Sequence, residues 1–396
     1  MVTKHRHAER GHADALRASV AAARALEAQG RRISRLDIGE PHFATAPHII
    51  EAAHAAMRDG ATKYVAPQGL PELRSAIATA QRARGVAASA DEIVVTPGVK
   101  PMLMYVLVAL CHGGDEVLVP DPGYPGYAAA ARLAGASVRP YPLLQARDAF
   151  AVDLDGLRAA ITPATRVLVI NSPQNPTGMV IDTPTLEGIA ELALRHDLWV
   201  LSDEIYSALT YDGPAPPSVA TLPGMRERTI VVDGFSKAYA MTGWRLGYAV
   251  LPSRLVSPVT ALVADGSTCT PPFVQQAGIA ALTGPQEPVV EMRGAYRSRR
   301  DALVHQLRAI RDVRVATPAG ALYAFADVGD VMRRNSIVSS AELAARLLHQ
   351  HHVACVAGGA FGDRGERYLR FSFAVASDQL DEALVRLAAW GNTLDT

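Results

Sequence analysis

The stretch TIVVDGFSKAYAMTGWRLGYAV, residues 229–250, carries the most informative local pattern in this chain of 396 residues. Its apolar start, Thr229 to Val232, predicts a short buried strand, and Tyr248 to Val250 predicts the beginning of another. Between these strands stand Ser236, Lys237 and, eight residues after the lysine, Arg245. A hydroxyl, an amine and a guanidinium held between two strands suit a site that handles a carbonyl and a phosphate.

Lysine is rare in this chain, which draws attention to the one in this stretch. The sequence has 39 Lys plus Arg, of which only four are lysine: Lys4, Lys63, Lys100 and Lys237. A neutral amine forms a Schiff base with a carbonyl, whereas a guanidinium keeps its proton and does not. Lys237 is therefore a candidate for covalent chemistry.

Length and composition predict a soluble protein with two domains. The chain has a mass of 42.0 kDa, 49% hydrophobic residues, 20% charged residues and a formal net charge of zero. Its basic residues are dispersed, so we expect neither nucleic acid nor an anionic membrane as a partner. Three widely spaced cysteines fit neither a disulfide framework nor a zinc site, which favours a reducing compartment and a cytoplasmic location.

Signals for secretion, membrane insertion and metal binding are weak. The first twelve residues are polar, and no apolar run approaches the ~18 residues of a membrane helix. The adjacent pair His351 and His352 does not share a helix face, and no paired histidines with acidic partners appear, so we expect no metal.

Short apolar runs alternate with helical patterns between residues 93 and 232. This alternation predicts an α/β fold with a mostly parallel sheet sandwiched by helices, whose site lies at the carboxyl ends of the strands. After about residue 280 an Arg-rich helical stretch and mixed short elements predict a smaller α+β domain. The predicted strands of the sheet are Ile93–Val95, Glu116–Val119, Val167–Ile170, Leu198–Leu201 and Ile230–Val232.

The first two strands are followed by a possible phosphate site and an aromatic residue. Gly98, Val99 and Lys100 begin a helix, where free backbone N–H groups and the helix dipole favour a phosphate. An ordinary turn between a strand and a helix has the same pattern. Tyr124 follows the second strand, and by itself it fits a packed core residue as well as a residue that stacks on a ring.

The next strands end in an amide, an acid and the lysine. Asn175 lies in a loop with two prolines and a glycine, although plain turn chemistry also produces such a loop. Asp203 follows an apolar run, so it needs a cationic partner or hydrogen bonds to remain ionised. Together with Lys237 these groups suit pyridoxal phosphate, since they offer partners for its aldehyde, ring nitrogen, ring hydroxyl and phosphate.

At this point the sequence resembles the class I/II aminotransferases of the fold-type I pyridoxal-phosphate superfamily. The resemblance runs almost from end to end, and its motifs are jointly specific. They are LDIGEPHF (36–43), NPTG (175–178), SDEIY (202–206), the spaced pattern from Ser236 to Gly247, and YLRFSF (368–373).

The resemblance implies a role for each residue that would contact the cofactor ring. Lys237 would form the Schiff base and carry the proton between Cα and C4′ of the cofactor. Asp203 would pair with the pyridine nitrogen and keep it protonated. Asn175 and Tyr206 would hydrogen-bond the ring oxygen, and Tyr124 would stack on the ring.

The resemblance also implies a phosphate site that two subunits share. Ser236, Arg245 and the backbone from Gly98 through Val99 to Lys100 would hold the phosphate. Tyr64 resembles a tyrosine that reaches the phosphate of the neighbouring subunit, so a homodimer with shared active sites is expected.

Arg370 would bind the substrate α-carboxylate, with help from Asn175 and the backbone near Gly39. Without the resemblance, Arg370 fits a surface charge at a strand end equally well. The implied domains are an N-terminal segment of the small domain at 1–45, a large cofactor domain at 46–285, and the rest of the small domain at 286–396. The small domain is thus built from both termini.

The implied reaction is a ping-pong transfer of an α-amino group between an amino acid and a 2-oxo acid. One alternative is another reaction on the same scaffold, as in a β-lyase or a cyclising, hydroxylating or decarboxylating enzyme. A second is a non-catalytic regulatory module, but only about 35 residues precede the match, too few for a helix-turn-helix domain.

The amino acid itself stays open at this stage. No second arginine in the sequence indicates a site for a substrate with two carboxylates. A neutral, aromatic or specialised amino acid is therefore as good a candidate as aspartate. The chain departs from the family pattern at residues 16–20, 268–272 and 356–361, near where side-chain specificity is usually decided.

Overall fold

The structure is a computed structural model that describes residues 12–146, 148–213 and 216–394. Residues 1–11 of the predicted N-terminal segment, including Lys4, lie outside the described residues. Within the described ranges no helix is both long and apolar enough to cross a membrane. The helices are α1 (His12–Ala28), α2 (Pro47–Arg58), α3 (Pro71–Ala83), α4 (Val99–Leu110), α5 (Pro125–Leu133), α6 (Leu154–Ala160), α7 (Thr183–Arg195), α8 (Ser253–Ser267), α9 (Pro272–Thr283), α10 (Glu287–Ala309), α11 (Gly329–Arg334), α12 (Ser340–His351) and α13 (Ser377–Leu394).

The strands form one large sheet and two small ones. They are β1 (Ser34–Arg35), β2 (Ile93–Thr96), β3 (Glu116–Asp121), β4 (Ser137–Ala146), β5 (Ala149–Val152), β6 (Thr165–Asn171), β7 (Trp199–Asp203), β8 (Thr229–Gly234), β9 (Gly247–Val250), β10 (Arg314–Val315), β11 (Tyr323–Asp327), β12 (Val353–Ala354), β13 (Val356–Ala357) and β14 (Tyr368–Ser372).

The large sheet has eight strands in the order β2-β9-β8-β7-β6-β3-β4-β5. Only β9 and β5 run antiparallel to their neighbours, so the predicted mostly parallel sheet is confirmed. The residues of β7 and β8 are all buried, as expected for short apolar strands covered on both faces. The stretch that opens the sequence analysis therefore forms the hairpin-like connection from β8 to its antiparallel neighbour β9.

The small sheets join the two ends of the chain. Strands β10, β11, β14 and β13 form an antiparallel sheet, and β1 near the N-terminus pairs in parallel with β12. Helix α10 lies between the last strand of the large sheet and the first of the antiparallel sheet. The domain boundaries at residues 45 and 285 stay a prediction.

Some elements are absent from the sequence predictions. Helices α7, α8 and α9 were not predicted, because each contains proline, and proline in a sequence favours the prediction of a loop. In α7 and α9 the proline lies in the first turn, where a missing N–H costs nothing, while Pro258 lies inside α8. Strand β5 was also missed.

Candidate active site

The carboxyl ends of the parallel strands open into a cleft of about 470 Å³. Residues at or just after the ends of β2, β3, β6, β7 and β8 line it, as the α/β arrangement predicts. The sheet brings together five predicted site residues from separate parts of the chain, namely Val99, Tyr124, Asn175, Asp203 and Lys237.

Lys237 follows β8 and points into this cleft. Its Nζ atom donates a hydrogen bond of 2.6 Å to the carbonyl oxygen of Gly39, and it lies 5.9 Å from the ring centroid of Tyr206. Burial lowers the pKa of the Lys237 amine from that of a free lysine. A lower pKa increases the fraction of neutral amine near neutral pH, which is the form that attacks a carbonyl and accepts a proton.

Asp203 ends β7 and is held by two hydrogen bonds. The hydroxyl of Tyr127 donates to its Oδ2 atom at 2.7 Å, and the backbone N–H of Ile205 donates to Oδ1 at 3.2 Å. Burial raises the pKa of Asp203 to about 6, against the opposing effect of the Tyr127 hydrogen bond. No cation of the described residues forms an ion pair with this carboxylate, so a cationic group in the cleft would complete it.

The residue after Asp203, Glu204, does have a cationic partner, Arg84. Glu204 accepts hydrogen bonds from Arg84 Nη2 at 2.6 Å, from Ser202 at 2.9 Å and from Ser218 at 2.6 Å. Arg84 also lies 3.5 Å from Asp233, whose pKa burial raises to about 7. These groups lie behind the sheet end rather than in the cleft, and they satisfy the buried charge of Glu204.

An anion cradle forms where β2 passes into α4. Gly98 has a φ of +94°, and a Cβ atom there would lie 2.3 Å from Arg245 Nη2, so the guanidinium lies directly over the glycine. Ser236 and the start of α4 at Val99 line the same part of the cleft. Free N–H groups at a helix start, a hydroxyl and a guanidinium together suit a phosphate.

Lys100 follows in the first turn of α4. It is exposed at the cleft, and its Nζ atom lies 6.0 Å from the ring centroid of Tyr124. Tyr124 is half-buried and packs edge to face against Tyr127, with the ring centroids 5.3 Å apart. One face of Tyr124 thus remains available to the cleft.

A second group of polar side chains lies around Asn175 and Tyr206. The two hydroxyls of Tyr206 and Tyr323 share a hydrogen bond of 2.8 Å, and both residues are buried. Asn171 positions this region, because its side chain accepts from the Asn175 N–H and donates to the Asp203 carbonyl, each at 2.9 Å.

Arg370 on β14 is a buried cation that lines the cleft. It is only 3% exposed, and it donates to Asn175 Oδ1 at 3.1 Å and to the Asp37 carbonyl at 2.7 Å. Its Nε atom has no hydrogen-bond partner, and no carboxylate side chain among the described residues forms an ion pair with it. A buried guanidinium in this state is a binding site for a carboxylate ligand.

Tyr64 is the one predicted site residue that the structure leaves away from the cleft. Its side chain is 85% exposed, in the connection between α2 and α3. This position neither tests nor contradicts a role in a neighbouring subunit, so that role stays a prediction.

Four residues that line or brace the cleft were missed from the sequence. Tyr127 lies one helical turn after Tyr124, a spacing that places both on one side of α5. Tyr323 lies on β11, and the direction of its side chain depends on the pairing of β11 with β14. Asn171 and Arg24 carried no signal, since a lone polar residue at a strand end or on a helix face has many uses.

Comparisons with known proteins identify the family of this chain. The family model for aminotransferases of class I and II matches residues 31–387. An aspartate aminotransferase of Musicola paradisiaca is 38% identical over 365 residues, which are 92% of this chain and 90% of that protein. An arginine–pyruvate transaminase of Pseudomonas aeruginosa is 37% identical over 91% of this chain and 90% of its own length.

A solved structure gives the same result for the fold. The aspartate aminotransferase from Thermus thermophilus with maleate superposes with a TM-score of 0.87 at 37% identity, over 95% of this chain and 96% of that one. The chain therefore belongs to the class I and II aminotransferase family and is an amino-group transferase.

Proposed function

We propose that the cleft binds pyridoxal 5′-phosphate and that the enzyme uses it to move an α-amino group from an amino acid to a 2-oxo acid in a ping-pong sequence. The observation that carries the proposal is the joint presence of the Lys237 amine and the Asp203 carboxylate in one cleft. Two further features support it, namely the cradle at Gly98 and the carboxylate site at Arg370.

The residues present fit this cofactor group by group. The Gly98 backbone is kept open by its lack of a Cβ atom, and with Ser236 and Arg245 it suits the phosphate. Asp203 has no cationic partner among the described residues and suits a protonated ring nitrogen. Asn175 and Tyr206 would hold the ring oxygen.

When bound, pyridoxal phosphate supplies a carbonyl carbon that takes up the amino group and a ring that withdraws electrons from Cα. The protein contributes positioning and proton transfer. Arg370 would bind the α-carboxylate and so fix the orientation of Cα. Lys237 would remove the Cα proton and return it at C4′ of the cofactor, for which its amine must be neutral. Its lowered pKa favours that form.

Asp203 acts on the ring through its charge. The carboxylate must be ionised to keep the ring nitrogen protonated, and the hydrogen bonds from Tyr127 and Ile205 favour the ionised form. A protonated ring nitrogen in turn stabilises the ionised Asp203, so each group supports the charge of the other.

We also propose a homodimer and a cytoplasmic location. The exposed side chain of Tyr64 is available to reach the phosphate site of a second copy. The three cysteines are free thiols, two of them buried, which suits a reducing compartment.

A half-reaction screen tests the proposal. The cofactor-loaded protein is mixed with single amino acids, and the change in cofactor absorbance and the 2-oxo acid released are recorded. We expect a stoichiometric 2-oxo acid from at least one amino acid and no product from Lys237→Ala. Pyruvate and ammonia released continuously without an oxo-acid acceptor would instead indicate a lyase, and full transamination by Lys237→Ala would contradict the proposal.

A further inference from the structure

The hydroxyls of Tyr206 and Tyr323 form a buried pair in the wall of the cleft. Tyr206 follows β7 of the large sheet, Tyr323 begins β11 of the antiparallel sheet, and both line the cleft. Their oxygen atoms are 2.8 Å apart, and within the described residues neither hydroxyl has a second hydrogen-bond partner. Two hydroxyls carry two protons, and their mutual hydrogen bond uses one of them. The other proton is available to an acceptor in the cleft.

The side chain of Tyr323 is fixed on two sides. In the register of β11 and β14, Tyr323 lies opposite Ser372, so Arg370 is its diagonal neighbour on the next strand. The Arg370 guanidinium lies 4.2 Å from the centroid of the Tyr323 ring. On the other side the hydroxyl approaches Gly39 so closely that a Cβ atom at this glycine would overlap it. These contacts hold the Tyr323 hydroxyl against Tyr206.

The ligand of Tyr206 decides which of the two hydroxyls donates to the other. Burial raises the pKa of Tyr206 well above its ordinary value, so its hydroxyl keeps its proton. If Tyr206 donates this single proton to the ring oxygen of the cofactor, it can only accept from Tyr323. The hydrogen bonds then run in one direction, from Tyr323 to Tyr206 and from Tyr206 to the ring oxygen.

We propose that Tyr323 is a positioning residue, which donates to Tyr206 and thereby directs and strengthens the hydrogen bond from Tyr206 to the ring oxygen of pyridoxal phosphate. The inference rests on the proposed function, since that function places the ring oxygen beside Tyr206. Hydrogen bonds in a chain polarise and strengthen one another in a buried site. Each hydroxyl keeps its own proton, so Tyr323 acts through Tyr206 and not by proton transfer.

Replacement of Tyr323 by phenylalanine removes the hydroxyl and keeps the ring that packs against Arg370. The titratable groups near the two hydroxyls are Arg370 on β14, Asp203 at the end of β7, Lys237 after β8, and Tyr211 in the loop after Tyr206. All of them stay in place in this variant. A change in the behaviour of the ring oxygen can therefore be assigned to the lost hydroxyl.

A pH titration of the cofactor absorbance tests the inference without substrate. The forms compared are the cofactor-loaded wild type, Tyr323→Phe, Tyr206→Phe, the double variant of these two, and Tyr141→Phe. Tyr141 is the control, because its buried hydroxyl donates to the Val169 carbonyl and it does not line the cleft. A hydrogen bond donated to the ring oxygen favours its ionised form, so loss of the bond raises the midpoint of the titration.

Tyr206→Phe should raise the midpoint by about 1–2 pH units, and Tyr323→Phe by about half a unit. The double variant should have the midpoint of Tyr206→Phe, because Tyr323 acts only through Tyr206. Tyr141→Phe should titrate as wild type does. A wild-type midpoint in Tyr323→Phe overturns the inference. So does a shift that adds in full to that of Tyr206→Phe, since Tyr323 would then act on the cofactor independently.

Cofactor binding gives a second measurement. The cofactor-free protein is titrated with pyridoxal phosphate and with its 3-deoxy analogue, which lacks the ring oxygen. Tyr323→Phe should bind pyridoxal phosphate about threefold more weakly than wild type and the analogue equally well. An equal loss for both ligands overturns the inference, because Tyr323 would then act through general stability.

The same experiments distinguish this inference from the proposed function. If the wild type forms no absorbing complex with pyridoxal phosphate and releases no 2-oxo acid from any amino acid, the proposed function fails. If the complex forms and reacts, but wild type and Tyr323→Phe have the same midpoint and the same cofactor affinity, only the role of Tyr323 is refuted.

Discussion

The hydroxyl of Tyr127 donates a hydrogen bond of 2.7 Å to the Asp203 carboxylate, and both side chains are buried. This bond links the helix after β3 to the end of β7 and fixes the direction of the carboxylate in the cleft. Hydrogen bonds to charged groups contribute about 1.5–3 kcal/mol. Tyr127→Phe should therefore raise the pKa of Asp203, weaken cofactor binding roughly tenfold to a hundredfold and lower kcat.

Tyr141→Phe is the matched control for this variant. The Tyr141 hydroxyl is also buried in the large sheet, where it donates to the Val169 carbonyl at 2.9 Å and not to a site residue. Cofactor affinity, measured by fluorescence titration of the cofactor-free protein, should fall only in Tyr127→Phe. Equal losses in both variants would show that Tyr127 acts through general stability.

Arg370→Gln should weaken the use of every amino acid to a similar extent. The α-carboxylate is common to all of them, and loss of a charged contact worth about 2–3 kcal/mol lowers kcat/KM roughly 30- to 150-fold. Arg367→Gln removes a positive charge just before the same strand, where Arg367 pairs with Asp327 at 2.6 Å outside the cleft. That control should keep its kcat/KM, and a loss confined to one class of side chain in Arg370→Gln would speak against the assignment.

Gly98→Ala should reduce cofactor affinity beyond its effect on stability. Both Gly98 and Gly114 have positive φ, +94° and +102°, so alanine strains the backbone at either position by about 1 kcal/mol. Only at Gly98 does the new Cβ meet the Arg245 guanidinium, whereas no atom lies within 4 Å at Gly114. Melting temperatures should fall similarly, and phosphate-containing cofactor should bind more weakly to Gly98→Ala alone. Unchanged binding would argue that the phosphate lies elsewhere.

Asp203→Asn should stabilise the cofactor-free protein at neutral pH and not in acid. Folding raises the pKa of Asp203 from 3.8 to about 6, so its contribution to stability is fully present below pH 4 and is lost as pH rises through 6. The loss is on the order of 3 kcal/mol at pH 7. Burial also raises the pKa of Asp233 to about 7, and the Asp203 charge adds to that shift, so the gain in Asp203→Asn includes a smaller contribution from Asp233. Urea unfolding at pH 4.5 to 8 should show a widening gap, and a constant gap would contradict the burial argument.

The sequence predicts the large sheet and most of its site because both depend on local pattern. Short apolar runs are buried strands, and the polar residues that follow them meet at one edge, which places Asp203 and Lys237 correctly. Which side chains pair with each other, when they are far apart in the sequence, cannot be read from a local pattern. Arg84 pairs with Glu204 and not with Asp203, and the hydroxyl of Tyr323 meets Tyr206, because sheet order and side-chain direction decide these contacts.

The same distinction applies to the part of α1 that lines the cleft, at Val20 and Arg24. Which face of α1 meets the cleft depends on how the helix packs against the C-terminal part of the chain. The hydrogen bond between Ser19 and the Cys355 carbonyl joins residues 336 positions apart. Such a contact is set by tertiary structure alone, and no local pattern predicts it.

The scarcity of lysine allows a direct test of the central claim that Lys237 carries the cofactor. The protein is loaded with pyridoxal phosphate and reduced with borohydride, which fixes the cofactor to its lysine as a secondary amine, and the modified peptide is identified by mass spectrometry. The sequence offers only Lys4, Lys63, Lys100 and Lys237 as sites. We expect one cofactor per chain, on Lys237. Modification of Lys100 or Lys63 instead, or no stoichiometric modification, would contradict it.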